Sequence, residues 1–511
     1  MEEVVSSTLI DIFKWWAVDR KDTAAIVTAK DQITYSELNC WAEAIADWLI
    51  AEGLQRGERV TILATNSMEW IVLSQAVMLS GGILAPVNPR FTVSEVAYMV
   101  GERYQSKFIF HDAARAELAN ATQAKVEGCT VFDISVIDQF RNGASANSAP
   151  RPEIGLDDEV VIIPTSGSTG HPKGVVYSHR TLSSYVSETA IAEPYSIDKA
   201  KVLLFGPLCT SAGYVVTTQY LAYGGTIFVE EAFEPLRAIQ MIQEHGITVM
   251  MGAPIFFERM AASESFAAAD LASLRYCLVG GARVSNQLLD TWLEKGVTLR
   301  QLYGQTEAGG QATVNSRSAA LSDPEKCGRG SAFTRIAIVD DKGEFCGPNT
   351  PGEIVIKGAG IMTRYWNDPE ATAKTLVNGW LHTGDLGMVD ENGLLTMLDR
   401  LKDIIISGGI NISAAELERV ISEIDGVNEV AVIAAKDDGF GETPLAIIYG
   451  RDDLTIETVI QHCNTHLSAF KVPRYVVLEG EALPRLATGK IAKPALRVKY
   501  ANAHVELSKV R

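Results

Sequence analysis

Short apolar runs recurring between helical patterns constrain this chain more than any other feature. The segments VTILA (60–64), TIFV (226–229) and YCLV (276–279) are of strand length and largely apolar throughout. A strand covered on both faces requires that continuity, whereas a half-exposed strand alternates. Between the last two lies a helical pattern that puts Leu236, Ile239 and Ile242 on one face, stopped by Gly246 and followed by ITVM (247–250). Strand, helix and strand in that order connect parallel neighbours. The expectation is an α/β fold whose large N-terminal domain holds mostly parallel sheets covered by helices.

The rhythm changes near the C-terminus. Leu417, Val420, Ile421 and Ile424 recur at helical spacing before Gly426, and strand-like runs follow at 430–434 and 445–449. A helix at 456–467 and a strand at 475–478 complete a small α+β domain. The charged segment LDRLKD (398–403) separates a strand at 393–397 from the run 404–406. The expected organisation is a large domain at 1–398, a hinge at 399–403 and a small mobile domain at 404–511. A chain of 511 residues exceeds what one core sustains, so more than one domain is required in any case.

Charge narrows the partners. With 63 acidic against 45 basic residues the chain carries a formal −18, which repels nucleic acid and anionic membranes. A local basic pocket for a small anion is still compatible with that surface. No apolar run approaches the roughly 18 residues of a membrane span. The opening MEEVVSSTLI is acidic where a secretion signal is basic. The seven cysteines (Cys40, Cys129, Cys209, Cys277, Cys327, Cys346, Cys463) form no C-x-x-C pair, so neither a disulfide framework nor a structural zinc site is expected. A cytoplasmic protein with reduced thiols is the reading.

The segment PTSGSTGHPKG (164–174) follows the apolar run 160–163 and combines glycines, hydroxyls and Lys173. Converging backbone N–H groups, hydroxyls and a cation are what a phosphate needs from a loop. Lys173 is followed by Gly174, so the segment is not a Walker A loop, which carries Ser or Thr there. Local chemistry leaves two readings, a phosphate loop or a glycine-rich turn.

Further motifs stand in order along the chain: YGQTE (303–307), GEI (352–354) running to Tyr365 and Pro369, GWLHTGD (379–385), DRLKD (399–403), SGGIN (407–411) and ATGK (487–490). Together with the 164–174 loop they resemble the adenylate-forming superfamily of acyl-CoA synthetases, peptide-synthetase adenylation domains and beetle luciferases. The resemblance spans nearly the whole chain and is most like an AMP-forming acyl-CoA ligase. It implies activation of a carboxylic acid by ATP, with Mg²⁺, to an acyl-adenylate, and transfer of the acyl group to coenzyme A.

It also implies roles. Thr165, Ser166, Gly167, Ser168, Thr169, Gly170 and Lys173 would cradle the β- and γ-phosphates. Gly281, Ala282 and Arg283 of GGAR (280–283) would approach the adenine and acyl group, with Tyr303, Gly304 and Gln305 also at the nucleotide. Thr306 would contact the α-phosphate and Glu307 hold magnesium. Asp385 would accept from the ribose hydroxyls with Arg400 nearby. Lys490 would neutralise charge between the attacking carboxylate and the α-phosphate, Lys402 would be the pivot, and Gly408 and Gly409 would line a pantetheine tunnel. Taken residue by residue, Asp385 also reads as a turn aspartate, 280–283 as a strand-to-helix turn, Lys490 as a surface lysine and Lys402 as a linker lysine.

The chain departs from its relatives in GPLCTSAG (206–213), where Thr210 replaces a frequent histidine or aromatic residue. His171 and His179 read as loop or surface residues rather than substitutes for it, and Pro164 stands where an aromatic is frequent. Residues 206–217 contain no carboxylate to pair with a substrate ammonium, which disfavours an amino acid. A pocket of Thr210, Tyr214, Val215, Ala282, Gln305, Gly309 and Gly310 would be mostly apolar with a few hydroxyl or amide groups. That suits a non-amino organic acid. The alternative acceptor is a carrier-protein phosphopantetheine, and a homodimer is a family-level expectation. A nucleotide-binding scaffold without catalysis would not need Glu307, Asp385, Arg400 and Lys490 together.

Overall fold

A computed structural model describes residues 7–143, 150–165, 172–282, 284–486 and 490–510. Packing divides the chain into two compact units, Met1–Ile336 with Ile356–Leu381, and Ala337–Val355 with His382–Arg511.

The first unit is built on two large sheets. One is seven-stranded, in the spatial order Arg364–Tyr365, Lys173–Ser178, Glu159–Thr165, Ile83–Leu84, Arg59–Leu63, Ser106–His111 and Thr130–Asp133. The other is eight-stranded, running Thr313–Val314, Leu299–Tyr303, Tyr276–Gly280, Val249–Gly252, Lys201–Leu204, Thr226–Val229, Ala24–Val27 and Gln32–Thr34. Their inner pairs are parallel, and antiparallel strands sit towards the edges. This is the helix-covered, mostly parallel architecture that the apolar runs imply.

The helix after Thr226–Val229 spans Pro235–His245 and ends on Gly246 at φ 61°, the left-handed conformation glycine adopts without a Cβ clash. Its buried residues are Ala238, Ile239, Met241 and Ile242, while Leu236 is 49% exposed. Leu236 therefore does not share the buried face expected of it. At 100° per residue it lies about 140° from the middle of the buried arc.

Two of the described helices are almost entirely buried. Met68–Leu79 buries every residue but Glu69, and Ser211–Ala222 buries Gly213–Val215 and 217–222. A helix enclosed on all sides carries no amphipathic period. The N-terminus of the second is anchored by Thr210, whose Oγ1 accepts from Gly213 N at 3.3 Å and donates to Pro207 O at 2.7 Å.

In the second unit, which takes in the strand Trp380–Val389 from His382 onward, its hairpin with Leu395–Arg400 precedes a sheet ordered Ile410–Ser413, Ile404–Ser407, Gly441–Gly450 and Val427–Asp437, with Tyr475–Glu479 parallel to Gly441–Gly450. Helices Ala414–Ser422 and Ile456–His466 cover one face through Leu417, Val420, Ile421, Val459 and Cys463. Leu483, Leu496 and Ala503 cover the other. The second unit takes in 382–403, residues that the sequence pattern divides between the large domain and the hinge. Asp399 Oδ2 accepts from Ser413 Oγ at 2.6 Å and Ala415 N at 2.9 Å, and Asp403 Oδ1 pairs with Arg497 at 2.5 Å. Among the described residues no helix is long and apolar enough to cross a membrane.

Candidate active site

In the first unit the strands Glu159–Thr165 and Lys173–Ser178 form an antiparallel pair in which Thr165 stands opposite Lys173. Ser166, Gly167, Ser168, Thr169, Gly170 and His171 lie outside the described residues, as does Arg283. Lys173 Nζ sits 4.7 Å from the centre of the Tyr365 ring, a cation–π distance. The hydroxyl of the same tyrosine donates to Glu307 Oε1 at 2.8 Å. Burial and the neighbouring Glu307 raise the Tyr365 phenol well above its ordinary pKa, so it stays a neutral donor.

Glu307 and Thr306 open a short 3₁₀ turn, Thr306–Ala308, that follows the strand Leu299–Tyr303. Backbone contacts hold it on two sides. Tyr177 Oη donates to the Thr306 carbonyl, and Met362 N donates to the Glu307 carbonyl at 2.9 Å. Thr306 Oγ1 is 3.3 Å from Ser211 Oγ at the start of the buried helix. Gly304 is required by space, because a Cβ there would lie 2.2 Å from the Gly310 carbonyl. Among the described residues the second oxygen of Glu307 accepts no hydrogen bond and no ion pair involves this carboxylate. Tyr303 is 6% exposed, and the buried Gln305 Nε2 has no hydrogen-bond partner among the described residues.

The expected acyl-pocket residues separate into two groups. Thr210, Gly309 and Gly310 stand near Thr306: Gly310 approaches Ser211, and Gly309 packs against Tyr185 and the Gly360 carbonyl. Tyr214 and Val215 are instead interior. The Tyr214 ring is 6.2 Å from Trp70 and lines a cavity of about 10 Å³ with Ile71, Gln75, Met78 and Thr218. Gly281 has φ 81°, and Ala282 beside it is exposed. His179 is not a surface residue. It is 2% exposed, its Nδ1 accepts from Leu9 N at 3.3 Å, and burial lowers its pKa to about 4.

In the second unit Asp385 and Arg400 occupy facing positions of the hairpin, with Arg400 Nε 3.5 Å from Asp385 Oδ1. The strand residues before Asp385 are held by Glu353 and Ile354. Glu353 Oε1 accepts from Gly384 N at 2.9 Å, Glu353 Oε2 meets His382 Nδ1 at 2.8 Å, and Thr383 Oγ1 donates to Ile354 O at 2.6 Å. Lys490 stands close enough to this pair for Arg400 to repel its cation and Asp385 to attract it. Desolvation comes first among the causes, Arg400 second, and together they bring the ammonium down to about pKa 8. Lys402 is exposed in the short turn Leu401–Asp403. Gly408 and Gly409 have φ 58° and 81°, and a Cβ on Gly408 would come 2.9 Å from the Phe440 ring.

The structure thus gathers Lys173, Thr306 and Glu307 in one unit and Asp385, Arg400 and Lys490 in the other. The sequence assigns no role to Tyr177, Ser211, Glu353 or His382, although the last two stand inside the GEI and GWLHTGD motifs. Tyr177 acts on a backbone carbonyl and Ser211 on a hydroxyl, contacts that leave no spacing pattern in a sequence.

Comparison with known proteins identifies the family. The AMP-binding enzyme model matches residues 13–366, and the AMP-binding enzyme C-terminal domain model matches 416–490. The long-chain-fatty-acid–CoA ligase FadD13 of Mycobacterium tuberculosis is 34% identical over 477 residues, covering 92% of this chain and 93% of that protein. The feruloyl-CoA synthase of a Streptomyces species is 32% identical over 471 residues, covering 92% and 94%. The crystal structure of ATP-bound MatB from Rhodopseudomonas palustris superposes with a TM-score of 0.88 at 29% identity, covering 98% and 100%. The chain is therefore an enzyme and belongs to the AMP-binding enzyme family, the family of these acyl-CoA ligases.

Proposed function

We propose that this enzyme is an AMP-forming ligase that joins a non-amino organic carboxylic acid to coenzyme A. The observation that carries this reading is the placement of Lys173 and Glu307 on the same tyrosine, a cation at its ring face and a carboxylate at its hydroxyl. A nucleoside triphosphate asks for both charges at one place: a cation for its phosphate oxygens and a carboxylate for the metal that accompanies them.

In the first half-reaction a carboxylate oxygen of the acid attacks the α-phosphorus of ATP, and the bond to the bridging oxygen of the β-phosphate breaks. Acyl-adenylate forms and pyrophosphate leaves. Anion meets anion, so the protein's contribution is positioning and charge neutralisation. Thr165 and Lys173, with Ser166, Gly167, Ser168, Thr169 and Gly170, hold the β- and γ-phosphates in this reading. Thr306 donates to the α-phosphate. Asp385 accepts from the ribose hydroxyls, as an ionised carboxylate can. Lys490 brings its cation to the α-phosphate. The Glu307 carboxylate, with one oxygen uncommitted among the described residues, fits a hard divalent ion, and magnesium when bound there would offset phosphate charge.

In the second half-reaction the thiol sulfur of coenzyme A attacks the acyl carbon and AMP departs. Lys402 is the proposed pivot of the domain rearrangement between the two steps, and Gly408 and Gly409 leave room for a thin pantetheine chain. The absence of any carboxylate in 206–217 supports an acid without an ammonium group, and a mostly apolar pocket suits one that is aliphatic, alicyclic, aromatic or steroid-like. The free cysteines suit a cytoplasmic enzyme, and a homodimer is part of the proposal.

Incubation with ATP, Mg²⁺ and a broad panel of acids, with either free coenzyme A or a holo carrier protein, tests it by mass spectrometry. The expected products are AMP and an acyl-CoA. A loaded carrier protein with no acyl-CoA from any acid would replace coenzyme A as the acceptor.

A further inference from the structure

Tyr365 stands where three separate segments meet. Its strand, Arg364–Tyr365, pairs with the phosphate-loop strand in the register Tyr365↔Val175 and Arg364↔Val176. Thr363 N donates to Val176 O at 2.9 Å, and Met362 N donates to Glu307 O at 2.9 Å. Tyr365 N is fixed as well, donating to Thr372 Oγ1 at 3.0 Å. The tyrosine is 6% exposed, so its ring is fixed by packing and its backbone by a strand. On that platform the hydroxyl meets Glu307 Oε1 at 2.8 Å, and Lys173 lies over the ring face at 4.7 Å.

We infer that Tyr365 is the positioning residue of the metal-binding carboxylate, fixing Glu307 in one rotamer while seating Lys173 beside it; this rests on the role of Glu307 proposed above. A carboxylate on a flexible stem loses side-chain freedom when it ligates a metal. A hydrogen bond that commits one oxygen beforehand removes part of that cost and leaves the other oxygen for the ion. Outer hydrogen-bond partners of metal ligands act in this way and typically matter by about 10- to 100-fold in affinity. The cation over the ring draws electron density from the phenol and strengthens its O–H as a donor, so Lys173 and Glu307 are coupled through one side chain. Tyr365 touches neither substrate nor reacting atoms in this account.

Tyr365→Phe keeps the ring and removes only the donor. The test is binding of a non-hydrolysable ATP analogue to the full-length protein, with Mg²⁺ titrated, followed by calorimetry, and Mn²⁺ binding followed by electron paramagnetic resonance. The expected result is a rise of about 10-fold or more in the half-saturating metal concentration. Metal-free nucleotide affinity and melting temperature should stay near wild type. Tyr365→Leu, which also removes the ring, should in addition weaken metal-free nucleotide binding, because Lys173 loses its seat. A Tyr365→Phe metal midpoint equal to wild type, alongside a shifted midpoint in Glu307→Gln, overturns the inference and spares the metal assignment. An unshifted midpoint in Glu307→Gln overturns both.

Discussion

Arg400 faces Asp385 across the hairpin register with its Nε 3.5 Å from the carboxylate, and Lys490 comes close enough to feel both charges. Burial and Arg400 lower the Lys490 pKa to about 8, against an ordinary value of 10.5. The cation is therefore present below about pH 8 and lost above it. Acid-dependent pyrophosphate exchange at low substrate should fall along an alkaline limb near pH 8. Arg400→Gln removes a repelling cation, so the limb should move to higher pH whatever happens to the maximal rate. A limb that stays in place would separate Lys490 from the rate.

His179 couples acidity to folding. Its pKa is about 4 in the folded protein against 6.5 ordinarily, because burial disfavours the imidazolium. Between those values the unfolded chain binds more protons than the folded one, so stability falls as pH drops from about 6.5 to below 4. The full effect is about 3 kcal/mol. His179→Gln retains an acceptor for Leu9 N and should flatten that part of the pH profile in urea unfolding. An unchanged acid slope would assign the loss to other groups.

Gly213 and Gly409 make a contrasting pair. A Cβ at Gly213 would lie 2.2 Å from the Pro207 carbonyl and 2.7 Å from Leu208 Cα, both backbone atoms with no room to yield. Gly213→Ala should lower stability by about 1–3 kcal/mol in chemical denaturation. Among the described residues nothing lies within 4 Å of a Cβ at Gly409, and its φ of 81° is a conformation L side chains rarely adopt. Gly409→Ala should cost about 1–2 kcal/mol and, if the pantetheine chain passes there, slow thioester formation without slowing adenylation.

What was legible in the sequence follows from burial pattern. Thr226–Val229 coincides with its apolar run, and Pro235–His245 with its amphipathic period and closing Gly246. Leu236 misled because three apolar residues at helical spacing do not say which side of their arc meets the sheet. Met68–Leu79 and Ser211–Ala222 carry no period, since helices buried on nearly every side need none. Tyr214 shows the same limit, an apolar helix position whose neighbour is Trp70 in the core. Within the candidate site, Thr306, Glu307, Asp385 and Lys490 stand in motifs of the sequence, as do Glu353 and His382. The Tyr177 hydroxyl on the Thr306 carbonyl lies outside every motif, and the Glu353 contact with Gly384 joins two motifs 31 residues apart without any spacing rule to reveal it.

The division of labour between Lys490 and the coenzyme step is the centre of the account. Lys490→Ala should be assayed in both half-reactions, as acid-dependent ATP–pyrophosphate exchange and as thioester formation from supplied acyl-adenylate. The expected outcome is a loss of at least about 100-fold in exchange, as for removal of a preorganised charge, with thioester formation nearly unchanged. Equal loss of both half-reactions, or retention of exchange, would contradict it.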